Sequence, residues 1–210
     1  MSSSLTAAPS DVQGSDARFN TIPSLDGAPP LVTVRHLSKT YRGRPALRDL
    51  SLSLPAGRIV GLMGANGCGK TTLLKILAGV LADYEGQVRV AGHAPGPQSK
   101  ALVSFLPDAD FLATSLTPPR AIAQFSRLFA DFDAAKARRL VDFFALPADR
   151  SIKEMSKGMG EKLRIALMMS RRARVYLLDE PISGVDPAAR EIVLDGVLRD
   201  FESDSLMLIS

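Results

Sequence analysis

Arg58-Ile-Val-Gly-Leu-Met-Gly-Ala-Asn-Gly-Cys-Gly-Lys-Thr-Thr72 is the stretch that decides the fold. Its opening run, Arg58 to Met63, is continuous and apolar, the pattern of a strand buried on both faces. Glycines follow at once, and then a helix-like stretch from Lys70 to Leu81. The segment between strand and helix, Gly64-Ala-Asn-Gly-Cys-Gly-Lys-Thr-Thr72, satisfies the pattern G-x-x-x-x-G-K-[ST]. Glycine lets backbone N–H groups turn inward and come close to a phosphate, and the helix behind presents unpaired N–H groups and the positive end of its dipole. Gly64, Ala65, Asn66, Gly67, Cys68, Gly69, Lys70, Thr71 and Thr72 are therefore the candidate nucleotide-binding residues. In that reading Lys70 reaches the terminal phosphates and the Thr71 hydroxyl ligates Mg²⁺.

Working outward, Leu31 to Leu37 and Leu50 to Leu54 alternate as strands should, the second stopping at Pro55-Ala-Gly57. Gln87 to Val90 and Leu102 to Leu106 are further strands. From Thr117 to Phe144 the pattern becomes helical, with Pro118-Pro119 opening one helix and Asp131 or Asp133 capping the next. A helix from about Gly160 to Ser170, a buried strand from Val175 to Leu178, a helix from Pro187 to Leu198 and a strand from Ser205 to Ile209 complete the reading. Strand–helix alternation implies an α/β fold: a mostly parallel sheet, an antiparallel β portion at the start, and an inserted helical block at roughly 115–172. Residues 1–30, rich in Ser, Ala, Pro, Gly and Asp, show no period and are expected to be a disordered extension before a domain at 31–210. Arg171-Arg172-Ala-Arg174 reads as a solvated connection at a helix C-terminus.

Val175-Tyr-Leu-Leu-Asp-Glu180 is an apolar strand ending in two carboxylates. In phosphoryl-transfer sites a strand-end Asp holds Mg²⁺ and an adjacent acid orients or deprotonates water. Asp179 is the metal candidate and Glu180 the catalytic base. Alone the pair is a weak signal; with the upstream loop it is a strong one.

With these motifs in place the sequence resembles the ATP-binding cassette family of phosphate-loop ATPases, over nearly everything from Leu31 onward. Met155-Ser-Lys-Gly-Met159 looks like the family's signature segment, with Ser156 and Gly158 retained and Lys157 and Met159 departing from it. The resemblance implies that this segment caps the γ-phosphate bound to the opposite protomer, so that two ATP sites form at a dimer interface. Tyr41 resembles the aromatic residue that stacks on adenine. Ser183-Gly-Val-Asp186 resembles the loop that places an aspartate, here Asp186, at the protomer interface. After Val103-Ser-Phe-Leu-Pro107 the family carries a glutamine near Mg²⁺; this chain has Asp108, which can ligate metal but adds negative charge and donates no hydrogen bond when ionised. The family's histidine beyond the last strand is not reached, and His36 and His93 lie far upstream, so weak hydrolysis is expected from the sequence as it stands.

The resemblance implies an ATPase subunit of bacterial exporter type. It would bind ATP and Mg²⁺, pair with a second ATP-binding subunit, drive membrane-spanning permease subunits, and sit at the inner face of the cell membrane. The composition agrees: 46% hydrophobic and 23% charged residues are ordinary for a globular chain, and a net charge of +4 is too small to argue for nucleic acid. One cysteine excludes an internal disulfide. No run reaches the roughly 20 apolar residues of a membrane helix. Two other classes stay open at this level: a soluble cassette ATPase acting on nucleic acid or ribosomes, and a non-catalytic regulatory ATP-binding module.

Overall fold

A computed structural model describes residues 3–5, 29–181, 187–199 and 201–210. The elements run β1 (Ser3–Leu5), β2 (Val32–Tyr41), β3 (Arg44–Leu54), β4 (Arg58–Leu62), α1 (Lys70–Leu77), β5 (Glu85–Val90), α2 (Pro97–Lys100) and β6 (Val103–Leu106). They continue with α3 (Pro118–Leu128), α4 (Ala134–Phe143), a 3-10 turn at Ile152–Glu154, α5 (Lys157–Met169), β7 (Val175–Leu178), α6 (Pro187–Arg199) and β8 (Leu206–Ile209). The chain divides into two compact units. The first holds Met1–Phe105, Arg174–Asp179 and Glu202–Ser210; the second holds Leu106–Ala173 and Glu180–Phe201.

The first unit is built on two sheets. One has the order β1-β4-β8-β7-β6, with β4 parallel to β1 and β8, and β7 parallel to β8. The other is antiparallel, ordered β3-β2-β5. Every residue of β7 is buried, as its unbroken apolar run requires. Leu73, Leu74, Ile76 and Leu77 of α1 join Leu54, Val60, Leu62, Val175, Leu177 and Leu208 in one core cluster. Each such side chain contributes about 1.5–3 kcal/mol on leaving water. That burial fixes α1, and with it the loop at its N-terminus.

The largest departures from the pattern reading have local reasons. Helix α1 stops at Leu77 rather than Leu81 because Gly79 takes φ +67°. Gly79 N–H donates to Ile76 O and Val80 N–H to Lys75 O, the paired bonds that terminate a helix at a left-handed glycine. Strands β2 and β3 are longer than expected because His36 and Asp49 adopt left-handed backbone, shifting the register and interrupting the alternation. Helix α5 starts at Lys157, three residues early, since Ser156 caps it by accepting from Met159 N–H at 3.2 Å.

The expectation of disorder for residues 1–30 meets a difference at Ser3–Leu5, which pair with Val60–Leu62 as β1. The open edge of β4 presents unpaired N–H and C=O groups that accept an extended segment whatever its composition.

In the second unit α3 enters at Pro118 and buries Ala121, Ile122 and Phe125. Asp133 caps α4, accepting from Lys136 N–H at 2.8 Å. Phe111, Phe129 and Phe132 surround Phe125 with ring centroids 5.4–6.2 Å away. Arg171 corrects the reading of its segment as solvated: it is buried, ion-paired to Asp131 at 3.0 Å and lies over the Phe129 ring. No helix among the described residues is long and apolar enough to cross a membrane.

Candidate functional site

The loop at Gly64–Thr72 joins β4 to α1, with Gly64 to Gly67 exposed and Gly69 buried. Gly69 sits at the helix N-cap with φ +99°, and a Cβ there would lie 2.3 Å from Ala46 O and 2.8 Å from Leu47 Cδ2. Only glycine fits both the dihedral and the space. Gly69, the N-cap of α1, offers no side-chain cap. The first turn of an eight-residue helix is therefore presented to the loop, the arrangement that favours an anion. Lys70 lies over the loop, its ammonium donating to Gly64 O at 2.9 Å and Ala65 O at 3.2 Å.

Strand β7 brings Asp179 to the same place. Its side chain is 1% exposed, and Thr71 Oγ1 donates to Asp179 Oδ1 at 2.9 Å. Ser210 Oγ donates to the same oxygen at 2.9 Å. Asp179 Oδ2 is buried with no hydrogen-bond partner among the described residues. A buried carboxylate oxygen left without a partner costs about 1–3 kcal/mol or more. A hard divalent cation would satisfy it, and the oxygen-only donors Thr71 and Asp179 suit Mg²⁺. Sequence reasoning missed Ser210. The signal was in the register: β7 and β8 are parallel with Leu178 opposite Ile209, so the residue after each strand lies beside the other.

Glu180, next in the chain, has φ +49°. Left-handed backbone at a residue other than glycine costs about 1 kcal/mol or more and persists where the surroundings enforce it.

Tyr41 closes β2 and is 44% exposed. The Lys39 ammonium lies 4.9 Å from its ring centroid and is ion-paired to Asp83 at 2.6 Å, with the Lys39 side chain only 6% exposed. Sequence reasoning passed over Lys39, although it follows Leu37 at the inward phase of the strand.

In the second unit Asp108 and Ser156 line one cavity of about 510 Å³, together with Asp110, Lys157, Glu161 and Arg164. Buried Arg164 pairs with Asp110 at 2.7 Å and with Glu161 one helical turn back. Burial pushes the Glu161 carboxyl above its ordinary range, although Arg164 opposes the shift. This ionic junction was also missed: Glu161 and Arg164 lie at i,i+3 on the helix, but sequence spacing shows neither their burial nor the reach to Asp110. Gly158 lies in the first turn of α5. Asp186, expected at the protomer interface, lies outside the described residues.

A family model described as ABC transporter matches residues 47–183. The ABC transporter ATP-binding protein YtrB of Bacillus subtilis is 29% identical over 183 residues, covering 86% of this chain and 63% of its own length. The aliphatic sulfonates import ATP-binding protein SsuB 1 of Xanthomonas axonopodis pv. citri is 36% identical over 180 residues, covering 77% of this chain and 66% of its own. The chain thus spans slightly less than two thirds of either relative. The solved structure of an ATP-binding subunit of an ABC transporter superposes with TM-score 0.73 at 25% identity, over 86% of this chain and 79% of that one.

Proposed function

The chain belongs to the ABC transporter family, and from that premise we propose that it is an ATP-hydrolysing subunit that dimerises around Mg-ATP to power transport by membrane-spanning partner subunits. The observation that carries the proposal is the 2.9 Å bond from Thr71 Oγ1 to the buried carboxylate of Asp179. It joins the hydroxyl that follows the loop lysine to an acid more than a hundred residues downstream, and leaves one carboxylate oxygen for a cation.

In this reading the N–H groups of the loop and of α1 receive the β- and γ-phosphates, and Lys70 exchanges its carbonyl partners for phosphate oxygens. Thr71 and Asp179 would hold Mg²⁺, which would offset the negative charge of the phosphates. Glu180 orients the attacking water and takes its proton, and Tyr41 stacks on the adenine. Ser156 and Gly158, at the start of α5, meet the γ-phosphate held by a second protomer. Binding energy spent on ATP closes the dimer, and its hydrolysis opens it again. Work on the membrane then follows through a permease partner, which places the subunit at the membrane surface.

Sedimentation of the Glu180→Gln chain tests this directly. Mg-ATP should convert it from monomer to dimer, and adding Lys70→Ala should abolish the shift. A chain that stays monomeric at saturating Mg-ATP, or dimerises equally without nucleotide, contradicts the proposal.

A further inference from the structure

Tyr41 is not a free-standing aromatic residue. Lys39, two positions earlier on β2, carries its ammonium over one face of the ring, 4.9 Å from the centroid. The lysine is buried in the body of the unit, and its ammonium is also ion-paired to Asp83 at 2.6 Å. Asp83 follows α1, the helix whose N-terminus bears Lys70 and Thr71. The ring beside the expected base is therefore tied through two charged side chains to the segment that leaves the phosphate-binding helix. All of these residues lie in the first unit.

A charged group on one face of an aromatic ring has two consequences. It holds the ring's plane, because the attraction acts along the ring normal and falls away when the ring tilts. It also reserves the other face for stacking, since the near face is taken. A tyrosine held in this way meets a purine without first losing rotational freedom, the kind of preorganisation that raises affinity. We propose that Lys39, anchored by Asp83, is a positioning residue for base recognition: it fixes Tyr41 so that the ring's opposite face receives the adenine. This rests on the reading of Tyr41 as the base-stacking residue.

Calorimetric titration of the whole chain with two probes, ATP and inorganic tripolyphosphate, isolates the base from the phosphates. Lys39→Met should weaken ATP binding roughly three- to fivefold, the scale of one partly exposed cation–π contact, and leave tripolyphosphate binding unchanged. Lys39→Arg, which keeps a cation over the ring, should restore ATP affinity. Asp83→Asn, at an exposed side chain that poses little risk to folding, should give a smaller loss with the same selectivity for ATP. Equal weakening of both probes would overturn the proposal by showing a general effect on the phosphate loop, and no weakening of either would overturn it as well. A Tyr41→Ala chain separates the two levels. If it binds ATP as tightly as the unaltered chain, the base-stacking reading fails and the inference with it. If Tyr41→Ala weakens ATP while Lys39→Met does not, Tyr41 keeps its role and only the positioning by Lys39 is refuted.

Discussion

Two helices in this chain begin at candidate phosphate-contacting segments, and their N-termini are finished in opposite ways. Helix α1 follows Gly69, which has no side chain with which to cap its first turn. Helix α5 follows Ser156, whose hydroxyl accepts from Met159 N–H and satisfies one of the helix's own donors. The first terminus has no cap from its N-cap residue and is held by the packing of Leu73, Leu74, Ile76 and Leu77 behind it. The second is locally self-sufficient and has only part of its donor set, and the serine hydroxyl proton, to give. The lesson concerns dependence on ligand: under the proposed function, the uncapped α1 would hold nucleotide tightly and the self-capped α5 would make a contact that forms and breaks.

The largest expected effect breaks the stronger side. Lys70→Ala should lower ATP affinity on the order of a hundredfold in calorimetry, the loss of a charge-assisted contact to phosphate. Gly69→Ala tests whether the uncapped end demands glycine. With φ +99° and Ala46 O 2.3 Å from the new Cβ, it should destabilise the chain by about 2–4 kcal/mol in denaturant unfolding. The opposite sign is expected at Gly160 in α5, where nothing lies within 4 Å of an added methyl group; Gly160→Ala should gain about 0.5–1 kcal/mol.

On the capped side, Ser156→Ala should cost about 1 kcal/mol of stability, and Ser156→Asp should recover most of it. If Ser156→Asp restores stability but not turnover, the hydroxyl is used twice, once as cap and once toward nucleotide. The last comparison is with the purely structural cap at α4. The bond from Lys136 N–H holds the Asp133 carboxyl below its ordinary range, with Arg172 adding to it. A depressed carboxylate contributes stability above its unfolded pKa and loses it as pH falls through the folded value. Asp133→Ala should therefore cost about 1 kcal/mol at neutral pH and progressively less in acid, read from unfolding curves at several pH values.

Much of this was legible in the order of residues. The apolar run into Gly64, the lysine and threonine after Gly69, and the apolar strand into Asp179 each carry a local pattern, and the structure sets Thr71 against Asp179 as those patterns imply. What stayed hidden depends on contacts between segments. Ser210 reaches Asp179 through the register of two parallel strands, Lys39 pairs with Asp83 more than forty positions away, and Arg164 pairs with a loop residue more than fifty positions away. Strand ends were misplaced where His36 and Asp49 interrupt the alternation with left-handed backbone, a conformation that both residue types adopt more often than most but that neither requires.

The central proposal is that the loop lysine serves nucleotide binding and that Glu180, the neighbour of the strand-end Asp179, is the catalytic base. Mg-ATP turnover and ATP affinity of the unaltered chain, measured beside those of Glu180→Gln, test it most directly. The account predicts Lys70-dependent turnover that Glu180→Gln removes while ATP affinity is retained. Turnover that survives Glu180→Gln, or an unaltered chain that binds ATP and never hydrolyses it, would contradict the account.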